Sequence, residues 1–210
     1  MALIEELREA VVDGQAKLAV AKVTEALEEG IEAGTLLREG LIQGMAQVGK
    51  LYEEGEIFVP EMLVAARAMT AALGVLKPHL IEEGVASSGK VAIGTTQGDL
   101  HDIGKNLVAM MLEGSGYEIV DLGVDVPADK FIEAIKDGAN VVAMSALLTT
   151  TMTNMQVAIE AIKSAGLRDK VRIIVGGAPI TKSYADEIGA DGYAEDASSA
   201  VRLVKEVLAA

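Results

Sequence analysis

Residues 90–113 read Lys90-Val91-Ala92-Ile93-Gly94-Thr95-Thr96-Gln97-Gly98-Asp99-Leu100-His101-Asp102-Ile103-Gly104-Lys105-Asn106-Leu107-Val108-Ala109-Met110-Met111-Leu112-Glu113. A short apolar run at 90–94 passes through a polar, glycine-bearing loop into a helical pattern from about 103 to 113. The alternation then repeats. Strand-like runs are predicted at 117–122, 140–146, 171–175 and 192–194. Helices are predicted from Pro127 to Lys136, over 152–165, over 181–188, and after an Asp196 cap. Strands that alternate with helices imply a parallel sheet covered on both faces, here a five-stranded flavodoxin-like or Rossmann-like α/β domain. In such sheets ligands bind at the carboxyl ends of the strands.

Upstream the period changes. Leu3, Ile4, Leu7 and Val11 share one helical face. Asp13 offers an N-cap to a helix reaching about Glu29, with Leu18, Val20, Val23 and Leu27 among its apolar positions. Thr35 offers another cap, ahead of Leu36, Leu37, Leu41, Met45 and Val48. Pro60 suits the first turn of a helix carrying Met62, Leu63, Ala66, Met69 and Leu73, and Pro78 is expected to end or kink it. No strand-like alternation occurs, so the first half is predicted to be a helix bundle. The small-residue stretch Gly84-Val85-Ala86-Ser87-Ser88-Gly89 reads as a linker. The expected domains are therefore 1–88, helical, and 89–210, α/β.

Composition narrows the function. The chain has 210 residues, half of them hydrophobic, and 3% aromatic with no Trp, so both cores must be aliphatic. The formal net charge of −14 argues against nucleic acid and against anionic membrane surfaces as partners. The absence of cysteine excludes disulfides, thiolate metal sites, iron–sulfur clusters and Cys nucleophiles. The acidic start MALIEELREA lacks the basic and apolar regions of a signal peptide. No stretch of about 18 uncharged apolar residues is present. A cytoplasmic protein is expected.

Three segments fall at the carboxyl ends of predicted strands and should converge. They are Gly94 to Gly104 after the first strand, Ser145 to Thr151 after the third, and Gly176-Gly177-Ala178-Pro179 after the fourth. Asp99 and His101 lie two residues apart in a loop. A carboxylate that close can hold one ring nitrogen, fix the tautomer, and leave the other nitrogen for a metal. A lone His is more often structural. With two histidines in the chain, a zinc site with three protein ligands is disfavoured, whereas a metal arriving in its own macrocycle needs only one. Gly98, Gly104, Gly176 and Gly177 permit close backbone approach, to a ligand or simply within turns. Ser145 and Thr149, Thr150 and Thr151 offer hydroxyls to a pocket, or plain helix caps.

Asp99-x-His101-x-x-Gly104, then Ser145-x-Leu147, then Gly176-Gly177, resembles the cobalamin-binding signature of methionine synthase and its relatives. The intervals agree: 40 residues separate Gly104 from Ser145 and 28 separate Leu147 from Gly176. The segments 116–124 and 51–60 are similar to the family as well, so the resemblance covers most of the chain. It is closest to the free-standing corrinoid proteins of methanol, methylamine and methoxyaromatic methyltransferase systems.

The resemblance implies the following. The cofactor is cobalamin or a related corrinoid, cycling between methylcobalamin and cob(I)alamin. His101 is the lower axial ligand of its cobalt, in place of the cofactor's own base. Asp99 and Thr151 complete a relay with His101, Thr151 standing where the family often has Ser. Gly98, Asp102, Ile103 and Gly104 adjoin the corrin. Ser145, Leu147, Thr149, Gly176, Gly177 and Ala178 take the nucleotide tail, with Tyr193 and Ala197 at its far end. Gln97 departs from the charged residue common at its position. The helical half is a mobile cap whose Tyr52, Val59 and Met62 cover the methyl-bearing face. The chain is then a methyl carrier between a substrate:corrinoid methyltransferase and an acceptor methyltransferase using tetrahydrofolate or a thiol such as coenzyme M. It would be a component without full turnover of its own, and a reductive activator protein is an expected partner.

Other readings meet mismatches. A receiver domain needs an acidic residue where Ser145 stands, and a flavodoxin uses aromatics that are nearly absent here. The small subunit of an adenosylcobalamin mutase usually lacks the helical half. A light-sensing cobalamin regulator carries a Trp in its helical domain and usually a DNA-binding domain.

Overall fold

The computed structural model describes residues 2–85 and 87–209. The chain divides into two compact units, Met1–Ser87 with Glu113–Gly116, and Ser88–Leu112 with Tyr117–Ala210. The linker reading of 84–89 includes Ala86, which lies outside the described residues.

The first unit is helical: α1 (Ala2–Val12), α2 (Ala16–Glu28), α3 (Ala33–Thr35), a π-helical segment (Leu36–Ile42), α4 (Gln43–Glu53) and α5 (Val59–Glu82). Leu7 and Val11 of α1, Val23 of α2, Leu41, Met45 and Val48, and Met69 and Leu76 of α5 form its aliphatic core. Small residues set the spacing. A Cβ on Gly40 would lie 2.7 Å from Leu7 Cδ2, and one on Gly44 3.1 Å from Val11 Cβ.

Three boundaries differ from expectation. Asp13 does not cap α2. The chain turns through Gly14 at φ +67, and the helix starts at Ala16. Thr35 lies inside a helix rather than ahead of one. The free N–H groups of Ala33 and Gly34 donate instead to the Glu83 carboxylate, at 2.8 and 3.0 Å, and these bonds hold that carboxyl below its ordinary range. Pro78 neither ends nor interrupts α5, whose buried positions Leu76 and Leu80 continue the apolar stripe past it. The cost of one missing helical bond is outweighed by that burial. The start of α5 does follow the sequence: Pro60 lies in its first turn, and Glu61 Oε2 accepts the Phe58 N–H at 3.0 Å. By length and apolar composition α5 alone, among the described residues, could cross a membrane. Core helices pass the same test, and Met62, Ala65, Ala66, Met69, Ala72 and Leu76 make α5 one of them.

The second unit contains β1 (Lys90–Thr96), α6 (Ile103–Gly114) as far as Leu112, β2 (Glu118–Val126), α7 (Ala128–Lys136), β3 (Val141–Ser145), α8 (Thr149–Ser164), β4 (Arg172–Gly176), α9 (Lys182–Glu187), β5 (Gly192–Ala194) and α10 (Ala197–Ala209), with a 3₁₀ turn at Arg168–Lys170. All strands are parallel, in the order β2-β1-β3-β4-β5. This is the flavodoxin-like order, which decides between the flavodoxin-like and Rossmann-like arrangements that the sequence left open.

Alternate strand residues serve opposite faces. Ala92, Val142, Met144, Ile173 and Val175 join Phe131, Met155, Ile159 and Ile162 in one cluster. Val91, Ile93, Val141, Ala143 and Ile174 join Leu112 and Val204 in the other. Because both faces are buried, β1, β3 and β4 read in the sequence as unbroken apolar runs. β2 extends four residues past its expected end, through two register irregularities and a Gly123 at φ +85. The carboxyl ends line up across the sheet: Thr95 is level with Ser145, Ser145 with Gly176, and Gly176 with Ala194.

Candidate functional site

That aligned row and the reversal of strand order between β1 and β3 mark the switch point at the carboxyl end of the sheet, the place where ligands of such sheets bind. The loop after β1 enters it. A turn closed by the Asp99 N–H on the Thr96 carbonyl (3.1 Å) starts the loop, and Gly98 supplies its positive φ of +82. Asn154 Nδ2 of α8 donates to the Gln97 carbonyl at 2.7 Å, and the buried Thr95 Oγ1 donates to the His101 carbonyl at 2.8 Å.

Asp99 is the fixed point of the site, with no exposed surface. Its Oδ1 accepts the His101 N–H at 3.1 Å and lies 2.7 Å from His101 Nδ1. Its Oδ2 accepts Thr151 Oγ1 at 2.6 Å, the Leu147 N–H at 2.8 Å and the Leu148 N–H at 3.3 Å. Burial pushes the carboxyl up, but the bonds from Thr151, Leu147 and His101 outweigh it and hold Asp99 well below the usual carboxylate range. An ionised Asp99 accepts only, so His101 Nδ1 carries a proton, and in the neutral ring Nε2 presents the lone pair. The His101 side chain is half exposed. Asp99, His101 and Thr151, from β1's loop and α8, are thus one connected group.

Apolar side chains stand open around it: Leu100 is 71% and Ile103 83% exposed, with Leu147 and Leu148 also exposed. Gly98, Asp102, Gly104, Thr149 and Ala178 lie at the surface of this end of the unit. Ser145 and Tyr193 are partly exposed, and Ala197 is buried at the start of α10.

The glycines divide into two kinds. A Cβ on Gly177, at φ +123, would fall 1.9 Å from the Ala146 carbonyl oxygen, and one on Gly176 2.8 Å from that of Ala194. Both are required by the chain's own strand-end packing. A Cβ on Gly104 would meet nothing within 4 Å, so no contact within the chain requires glycine there.

Of the residues expected in the helical half, Tyr52 is partly exposed and Val59 is 36% exposed. Met62 is fully buried at the head of the α5 core stripe.

Sequence reading missed Lys105. It is buried, with Nζ 2.6 and 2.7 Å from the Asp121 carboxylate and 2.6 Å from Asn106 Oδ1, and Asn106 Nδ2 reaches Asp102 at 3.0 Å. Lys105 breaks the apolar pattern of early α6 and Asp121 that of mid β2, a signal that could have paired them.

Comparisons with known proteins fall on the same residues. Residues 89–202 match the model of a B12 binding domain, and 3–77 match a second B12 binding domain model. The chain is 45% identical over 209 residues to the trimethylamine corrinoid protein of Methanosarcina barkeri, covering 98% of this chain and 96% of that protein. It is 39% identical over 212 residues to a corrinoid protein of Desulfitobacterium hafniense (strain Y51), covering 99% and 98%. Among solved structures it is similar to a chain of the methanol:cobalamin methyltransferase complex from Methanosarcina barkeri, with TM-score 0.88, 30% identity and coverage of 99% and 80%. It is also similar to a cobalamin-binding protein from Desulfitobacterium hafniense DCB-2, with TM-score 0.80, 30% identity and 97% coverage of both chains.

Proposed function

Because this chain belongs to the B12-binding family of corrinoid proteins, we propose that it carries a methyl group on corrinoid cobalt between two methyltransferases, with His101 as the lower axial ligand. Cobalamin, or a close corrinoid, is its cofactor. The observation that carries the assignment of His101 is its half-exposed imidazole, oriented by a buried, ionised Asp99 at 2.7 Å and ringed by open apolar side chains.

The residues fit such a group. Leu100 and Ile103 offer apolar surface to a macrocycle, Gly104 leaves room beside it, and one nitrogen ligand suffices where the macrocycle supplies the rest. When bound, the corrinoid supplies a cobalt centre that is nucleophilic on reduction, accepts a methyl group and gives it up again.

The chain's own part is positional. Asp99 keeps the proton on Nδ1 and so keeps Nε2 available to metal. Thr151 and the N–H groups of Leu147 and Leu148 hold Asp99 in place, tying the ligand to the start of α8. Ser145, Thr149, Gly176, Gly177 and Ala178 at the strand ends are the proposed seat of the nucleotide tail, with Tyr193 and Ala197 beyond. For the helical unit we propose a covering role in which Tyr52, Val59 and Met62 take part.

The proposed partners are a substrate:corrinoid methyltransferase, an acceptor methyltransferase and a reductive activator. The trimethylamine and dimethylamine relatives, at 45% and 44% identity, support a methylated amine as the methyl donor.

Two experiments bear on this reading. The holoprotein mixed with donor and acceptor alone should transfer no more than one methyl group per cobalt, and added methyltransferases should make transfer catalytic. Repeated turnover by the chain alone would contradict the carrier role. Separately, Gly104→Ala should leave the apoprotein as stable, or up to about 1 kcal/mol more stable, since the methyl meets nothing and glycine is a poor helix former. Corrinoid affinity should nevertheless fall about tenfold, as when a methyl group is forced into a filled site. Equal affinity by titration would show that no bulky group lies over Gly104.

A further inference from the structure

Asp125 is the only non-glycine residue with positive φ among those described, at +54. Aspartate tolerates this left-handed region better than most residues, yet a backbone held there is fixed by its surroundings. The surroundings here are the loop that carries His101. One carboxylate oxygen of Asp125 accepts the Gly98 N–H at 2.7 Å, and the Asp125 N–H donates to the Asp99 carbonyl at 2.9 Å. A single residue thus grips two consecutive residues of the turn, one through its side chain and one through its main chain.

We propose that Asp125 is a positioning residue for the cobalt ligand, setting where the Asp99 backbone lies and therefore where His101 Nε2 points. This rests on the assignment of His101 above. The bonds at Oδ2 fix the carboxylate end of Asp99, and Asp125 fixes its main chain. Together they leave the Asp99 side chain little freedom.

The strand geometry that delivers Asp125 is built in. Ile93 is level with Asp121, Gly94 with Gly123 and Thr96 with Val126, so β2 carries two extra residues against the same stretch of β1. The excess lies between Asp121, whose Oδ1 accepts the Gly123 N–H at 2.9 Å, and Val126, which is buried. A bulge pinned at both ends re-aims the residue within it. The Asp125 side chain is exposed, so core packing does not explain its place.

Two variants separate the side chain from the backbone. Asp125→Gly keeps the left-handed conformation without steric cost but removes the acceptor, whereas Asp125→Asn keeps both. Both are made as holoprotein, with histidine labelled with nitrogen-15, and are read by amide exchange and by EPR in the cob(II)alamin state. In Asp125→Gly the Gly98 amide should exchange about tenfold faster, the loss expected for one charge-assisted bond, while Ala143 and Ile174 in β3 and β4 stay as in wild type. The fraction of cobalt showing histidine nitrogen coupling should fall by roughly half at unchanged corrinoid content, since a loosened shell no longer holds its ligand. Asp125→Asn should restore both.

Wild-type Gly98 exchange and coupling in Asp125→Gly would overturn the proposal. So would faster exchange spread equally to Ala143 and Ile174, which would mark a general loss of stability. If wild type itself shows no histidine coupling, the assignment of His101 fails and the proposal with it, a failure visible before any Asp125 variant is measured.

Discussion

Asp99→Ala is expected to destabilise the α/β unit of the apoprotein by about 3–5 kcal/mol, the range for removing one member of a buried charged network. That corresponds to a fall of roughly 10–15 °C in its melting temperature. The mutation strips a partner from the N–H groups of His101, Leu147 and Leu148 at once. Thr151 can turn its hydroxyl to the Leu148 carbonyl, 3.0 Å away, but the backbone donors cannot move. Asp99→Asn should cost less, about 2 kcal/mol, because one oxygen survives while the amide nitrogen faces a donor.

The two proteins should also differ in acid. The folded-state value for Asp99 lies below the unfolded value of about 3.9. The unfolded chain therefore binds the extra proton, and the contribution of Asp99 is complete above about pH 5 and fades as pH falls. The stability gap between wild type and Asp99→Asn should narrow from about pH 5 to pH 2, followed by calorimetry. Parallel curves would mean that Asp99 is not the ionised anchor described.

The β strands were legible because both faces of their sheet are buried, which leaves apolar runs punctuated by Gly, Pro and Asp. Gly192–Ala194 could be placed even at three residues, since turn residues bound it. The pairing of Asp99 with His101 was legible because they are two residues apart. Thr151 is 52 residues from Asp99, and no local pattern joins them. Only the resemblance suggested it.

What stayed hidden has one physical form, a local preference decided by a distant partner. Glu83 caps α3 from 50 residues away. Arg8 donates from Nε and Nη2 to the Glu39 carbonyl in the π-helical segment, 31 residues on. Val64 stands against Gly14, where a Cβ would lie 2.3 Å from its Cγ1, and the turn there displaces the cap expected at Asp13. Gly176 and Gly177 carry a constraint of their own besides any ligand, the carbonyls of Ala194 and Ala146. Asp125 gives no sign of itself in the sequence, because its role depends on a bulge that only strand pairing reveals.

The second large effect concerns the ligand itself and is all-or-none. The chain has two histidines, His79 on α5 and His101, so isotopic labelling of histidine asks a question with two possible answers. EPR of the holoprotein in the cob(II)alamin state is recorded with natural histidine and with nitrogen-15 histidine. If His101 Nε2 is the lower ligand, each triplet from axial nitrogen becomes a doublet on labelling. His101→Ala abolishes that response and His79→Ala preserves it, while corrinoid still binds His101→Ala through the strand-end pocket. A triplet that persists unchanged on labelling would show that the cofactor's own base holds the cobalt, and would contradict the account at its centre.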